Sequence, residues 1–219
     1  SRTNPENHPM TEIFILATAH HRHSQWPFYS FEVLSKLISA LKPQLLCVEL
    51  DAEELKAGGS KAQPEYREAI LPRAGQSRCP VMPIKPGAQQ DFSVEEIGAN
   101  PQTAIGKMRL SLFNYCLEQY IAPDYDQLAK TLEGFQSDRM DALMRKKWYY
   151  AKWLMPERWR VWQDWNRAML EKIKAALAAN EGKRILVTVG MEHKYWLRQR
   201  IGEFPQVRSI QYADFAARP

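Results

Sequence analysis

The sequence predicts an α/β domain: a mostly parallel central sheet flanked by helices, with a large helical insertion before the penultimate strand. Three observations predict it. Short apolar, charge-free runs recur along the chain and are too short for helices. The first two of them bracket a segment of helical periodicity, the pattern of a βαβ unit with a parallel strand pair. Between the third run and the penultimate one lies a long stretch of helical character, about residues 103–179.

The elements follow in order. "EIFILATA" (12–19) reads as a buried strand. In "FYSFEVLSKLISALKP", Phe31, Leu34, Ile38 and Leu41 fall at helical spacing and Pro43 stops the pattern. "QLLCVELD" (44–51) is a second buried strand, residues 64–72 a short helix, and "CPVMPIKP" (79–86) a proline-punctuated strand nearer an edge. Glycine, glutamine and asparagine then thin the pattern to about residue 102. Four helices follow, one from 103, one after Pro123, one over 137–155 and one from Pro156 to about 179. "RILVTVG" (184–190) is the clearest strand, "MEHKYWLRQRI" opens a helix, and "VRSIQYADF" (207–215) closes the chain as a strand. Residues 1–9 read as a tag or linker, and 10–219 as one domain.

Composition narrows the class. The net charge of +5 is a mild excess spread along the chain, which favours acidic ligands without the concentrated patch of a nucleic-acid binder. Three cysteines without CxxC spacing point to a reducing, cytoplasmic compartment. No apolar run approaches the length of a membrane span. There is no nucleophile elbow and no glycine-rich phosphate loop, which argues against serine hydrolases and nucleotide cofactors.

In open sheets, ligands bind beyond the carboxyl ends of the strands, so the residues there are the candidates. "ATAH" ends the first strand, "VELD" the second and "VGMEH" the penultimate one, bringing His20, Glu49 and His193 to one edge, with Asp51 and Glu192 in second rank. Two imidazoles and a carboxylate suit a divalent metal (Mn, Co or Zn) with an open position for water. Glu49 interrupts an apolar strand, where a carboxylate needs a partner, a metal or an elevated pKa. Gly190 is expected to supply the backbone freedom for a sharp turn. Three of the five histidines lie within 20–23; His21 and His23 read as neighbours of the chemistry rather than parts of it. Trp159, Trp162 and Trp165 share one helical face, which either packs the insertion onto the sheet or walls the site. Lys85 is a further cation within reach of this edge, although a loop lysine is more often solvated.

On these residues the chain resembles the superfamily that groups TraB pheromone-shutdown proteins, Tiki proteases, erythromycin esterases and haem-binding ChaN proteins. Its signature is a pair of G-x-x-H motifs with a glutamate after the second strand. "GMEH" (190–193) matches the second motif, and "ATAH" the first with Ala17 for glycine. "LKPQLLCVELD" resembles the second-strand segment, and "NRAMLEKI" (166–173) the helix before the last motif, with Trp165 where an arginine is usual. The resemblance implies a hydrolase of amide or ester bonds in a small-molecule or peptide substrate, acting through activated water. His20 and His193 would bind metal or transfer protons, Glu49 would be third ligand or general base, and Asn166 would orient a ligand or polarise the carbonyl. It equally implies, as alternatives, a non-catalytic pocket for haem or another small ligand, or an interaction domain whose site has decayed.

Overall fold

The computed structural model describes residues 10–87 and 103–216; the tag-like residues 1–9 and the thinned tract up to 102 lie outside them. Five strands form one sheet, β1 (Thr11–Thr18), β2 (Leu45–Val48), β3 (Val81–Pro83), β4 (Arg184–Gly190) and β5 (Val207–Ile210), in the order β3-β2-β4-β1-β5 with every pair parallel. The α/β class and the placement of the insertion before the penultimate strand are thus as expected. The proline-rich β3 lies at an edge, where a missing N–H costs least.

Alternation along the strands divides the core between two faces. Ile13 and Ile15 of β1 face one cluster with Ile185 and Val187, while Phe14 and Leu16 face another with Leu46, Val48 and Leu186. The second face is covered by α1 (Phe31–Leu41), which buries Leu34, Leu37, Ile38 and Leu41 and begins at a Ser30 cap. The first face is covered by α8 (Pro156–Ala179) through Met169, Leu170, Ile173 and Ala176. The insertion therefore straddles the sheet: α7 (Asp138–Leu154) lays Met140, Leu143 and Met144 on the α1 face, and α8 returns along the other.

The remaining helices are α2 (Ala52–Lys56), α3 (Leu71–Ser77), α4 (Ala104–Tyr120), α5 (Ala122–Leu128), α6 (Leu132–Gln136), α9 (Met191–Ile201) and α10 (Tyr212–Ala216). The expected closing strand over 207–215 is shorter. It stops at Ile210, the Gln211 N–H is accepted by Asp214 (3.1 Å), and Phe215 folds back to meet Phe14 edge-on. Before α3 the helix widens into a π turn, Tyr66–Ile70. Among the described residues, no helix is long and apolar enough to cross a membrane.

Candidate active site

The strand order makes neighbours of the three segments that carry the candidates, because β2, β4 and β1 are consecutive in the sheet. They also end in register, Thr18 opposite Gly190 and Val48 opposite Thr188. Glu49 follows the last residue of β2, His20 lies two residues beyond β1, and His193 sits in the first turn of α9.

Glu49 is fixed first. One carboxylate oxygen, Oε2, accepts the Gly190 N–H at 2.7 Å; the other, Oε1, lies 3.6 Å from His193 Nε2, too far for a direct hydrogen bond. Gly190 has φ −55° and ψ 145°, an extended conformation open to any residue. The expectation that its glycine serves backbone freedom is therefore corrected: the requirement is space. A Cβ there would come within 2.9 Å of His20 Nε2 and 3.7 Å of Glu49 Oε2.

The left-handed conformation falls instead on His20 itself, φ +51°. Histidine is among the residues that tolerate this region, at a cost of about 1–3 kcal/mol that the surroundings must hold. They do so through His23, whose Nε2 accepts the Ala19 N–H (2.9 Å) while its Nδ1–H donates to the Tyr29 carbonyl (2.6 Å). These bonds fix His23 as a neutral tautomer, and burial holds its pKa below the ordinary value. His21 is exposed and only its carbonyl is engaged, by Ser24. Ala17, in the place of the first motif glycine, is buried near the end of β1; Tyr29 and Gln136 both donate to its carbonyl.

His20 has a partner that the sequence did not disclose. Its Nδ1 meets Glu65 Oε1 at 2.8 Å, and Glu65 is fully buried. A buried carboxylate needs a cationic or donor partner, and His20 supplies it. Burial disfavours the imidazolium, but the hydrogen bond and charge of Glu65, with Glu49 and Glu192 beyond, outweigh it and raise the His20 pKa. Nothing in "AQPEYRE" distinguishes Glu65 from a solvated helical glutamate.

His193 is oriented in the same way. Asn166 is fully buried and its Nδ2 donates to the Trp162 carbonyl at 2.7 Å, so its Oδ1 must face His193 Nδ1, 3.1 Å away. Nδ1 is then the protonated nitrogen and Nε2 points at Glu49. Asn166 is thus an orienting residue; with both ends engaged inside the core, the expected role of polarising a substrate carbonyl is corrected. Trp162 stacks on His193 (interplanar angle 15°), on Tyr195 (16°) and on Trp148 (17°), so the aromatic face both packs the insertion and walls the histidine.

No family model, curated protein or solved structure matches this chain. The site therefore stands on its own geometry.

The second-rank candidates serve other ends. Asp51 caps α2 in a reciprocal box with Glu54, and Lys85 pairs with Glu54 at 2.8 Å. Glu192 pairs with Lys147; burial opposes its ionisation, but Lys147, His193 and Arg158 keep its pKa low. The expected metal set His20, Glu49 and His193 is brought to one place, but among the described residues no group of three His, Cys, Asp or Glu is disposed to hold an ion. In this arrangement one Glu49 oxygen is engaged by the Gly190 N–H and the other faces His193.

Proposed function

We propose that this chain is a hydrolase of amide or ester bonds in a small-molecule or peptide substrate, with His20 as the base that activates water. The observation that carries the reading is the His20–Glu65 hydrogen bond, which commits Nδ1 and leaves Nε2 against Gly190 at the strand edge. His20 Nε2 takes a proton from water as the oxygen attacks the carbonyl carbon. Glu65 stabilises the imidazolium that forms and holds the ring in one tautomer. The same proton then passes from Nε2 to the leaving group as the tetrahedral intermediate collapses. Glu49, anchored on the Gly190 N–H, adds negative potential on the other side of the imidazolium, and His193 presents Nε2 across from it.

Cytoplasmic placement is part of this reading. It is supported by three free cysteines, of which Cys47 is buried and its thiol pushed up to about 12 by that burial.

The test is hydrolysis of a panel of p-nitrophenyl esters, lactones and peptide anilides by the wild-type protein and by the His20→Ala and His193→Ala variants. Activity is expected to fall at least about 10²-fold in His20→Ala. Full hydrolysis retained in both variants overturns the proposal. Chelation followed by reloading with manganese, cobalt or zinc separates this reading from the metal-dependent one, since it expects no change in rate on either step.

A further inference from the structure

Helix α4 is apolar on two faces, and only one of them is covered. Leu110, Phe113 and Leu117 turn inward against the Trp148–Trp162 cluster. Ile105, Met108, Leu112 and Tyr115, spaced 3, 4 and 3 residues apart, turn outward and are between 48% and 64% exposed. The stripe does not end with the helix. Ring contacts run from Tyr115 to Tyr120, on to Tyr150 and Tyr149, and finally to Trp153 of α7, itself 64% exposed. Tyr150 in this series is half-buried against the core, while the others stay outward, and an apolar and aromatic surface of this kind marks an interaction site.

Charge identifies what it meets. From Ala142 to Met155 the chain carries Arg145, Lys146 and Lys152, besides the Lys147 paired with Glu192, and no acidic residue; α4 carries Lys107 and Arg109 against Glu118 alone. Lys146 lies over the Tyr120 ring at 5.4 Å and Lys152 over Trp153 at 5.6 Å, so the cations are interleaved with the rings. Neither lysine forms an ion pair among the described residues. We propose that the outward faces of α4 and α7 dock this protein on an anionic lipid bilayer. The aliphatic side chains enter the acyl boundary, the tyrosines and Trp153 sit at headgroup level, and the lysines meet the lipid phosphates. A second copy is the poorer occupant, because a two-fold pairing sets this basic surface against itself. Single-stranded nucleic acid suits the rings and lysines, but the aliphatic stripe offers nothing to a base.

The full chain is sedimented with vesicles of phosphatidylcholine alone and of phosphatidylcholine with phosphatidylserine. Binding is expected on the serine-containing vesicles, weakening as salt is raised. It should drop at least about thirtyfold in Lys146→Glu/Lys152→Glu, given about fivefold for each lysine lost at such a surface, with charge reversal adding to it. Leu112→Glu should abolish it, with Met108→Glu as the second variant if the first loses its helical circular dichroism. A blue shift in emission on binding that disappears in Trp153→Phe places the surface itself in the membrane. Absence of sedimentation, or equal binding to uncharged vesicles, overturns the proposal. So does self-association in light scattering that Leu112→Glu abolishes without any vesicle binding, or retention by an oligothymidine probe in place of vesicles.

Discussion

Two imidazoles in this site are aimed by two fully buried residues. Glu65 and Asn166 each take the Nδ1 of one histidine, so His193 Nε2 turns towards Glu49 and His20 Nε2 lies against Gly190. The consequence is sharpest for Glu65→Gln. Loss of the carboxylate lowers the His20 pKa, so the acid limb of the kcat/KM profile moves to lower pH, while the rate on the plateau falls about 10²–10⁴-fold. An unshifted limb assigns Glu65 a purely structural role. Gly190→Ala separates space from backbone freedom. Its dihedrals are ordinary, so no backbone strain is added; crowding of His20 alone should cost about 1–3 kcal/mol in stability and about 10²-fold in rate. Thermal unfolding beside initial rates decides it.

At the scale of the element, the turn that follows β1 is where strain and function meet. The short 3-10 segment His20–Ser24 starts with a left-handed histidine and is locked by a second, buried one. Because His23 is held neutral, its pKa in the folded protein lies below the unfolded value of 6.5. The stability it contributes is complete above that value and is lost as pH falls through the folded pKa. His20 has the opposite sign: its raised pKa contributes stability below 6.5 that is lost as pH rises through the folded value. His23→Ala is expected to cost about 1–3 kcal/mol, since it strands the Ala19 N–H and the Tyr29 carbonyl. It should also flatten the loss of stability expected as pH falls below about 6.5 in urea titrations of the wild type. A slope that persists in the variant assigns that titration to another group.

For the molecule as a whole, the insertion is no separate lobe. Helices α7 and α8 clasp the two faces of the sheet, and the Trp148–Trp162 stack abuts His193. Five of the seven tryptophans lie between residues 146 and 165, so fluorescence reports chiefly on the insertion and far-ultraviolet dichroism on the whole. The two signals are expected to give coincident urea transitions, one cooperative unit. Trp162→Ala should destabilise that unit by about 3–5 kcal/mol and lower activity as well, because it removes the wall of His193. Two separated transitions contradict the clasp.

Local pattern determined the strands, their parallel pairing, the helical insertion and three of the four residues at the centre of the site. Apolar runs and carboxyl-end positions are written in consecutive residues, which is why His20, Glu49 and His193 were legible. Only the tertiary structure placed β4 between β2 and β1, which brings those three together. Only it supplied Glu65, whose role comes from full burial against a ring forty-five positions away and leaves no mark on its neighbours in the chain. It also moved the conformational demand from the glycine to His20. Such matters rest on distances between side chains remote in sequence, whereas periodicity reports only on which face a residue presents.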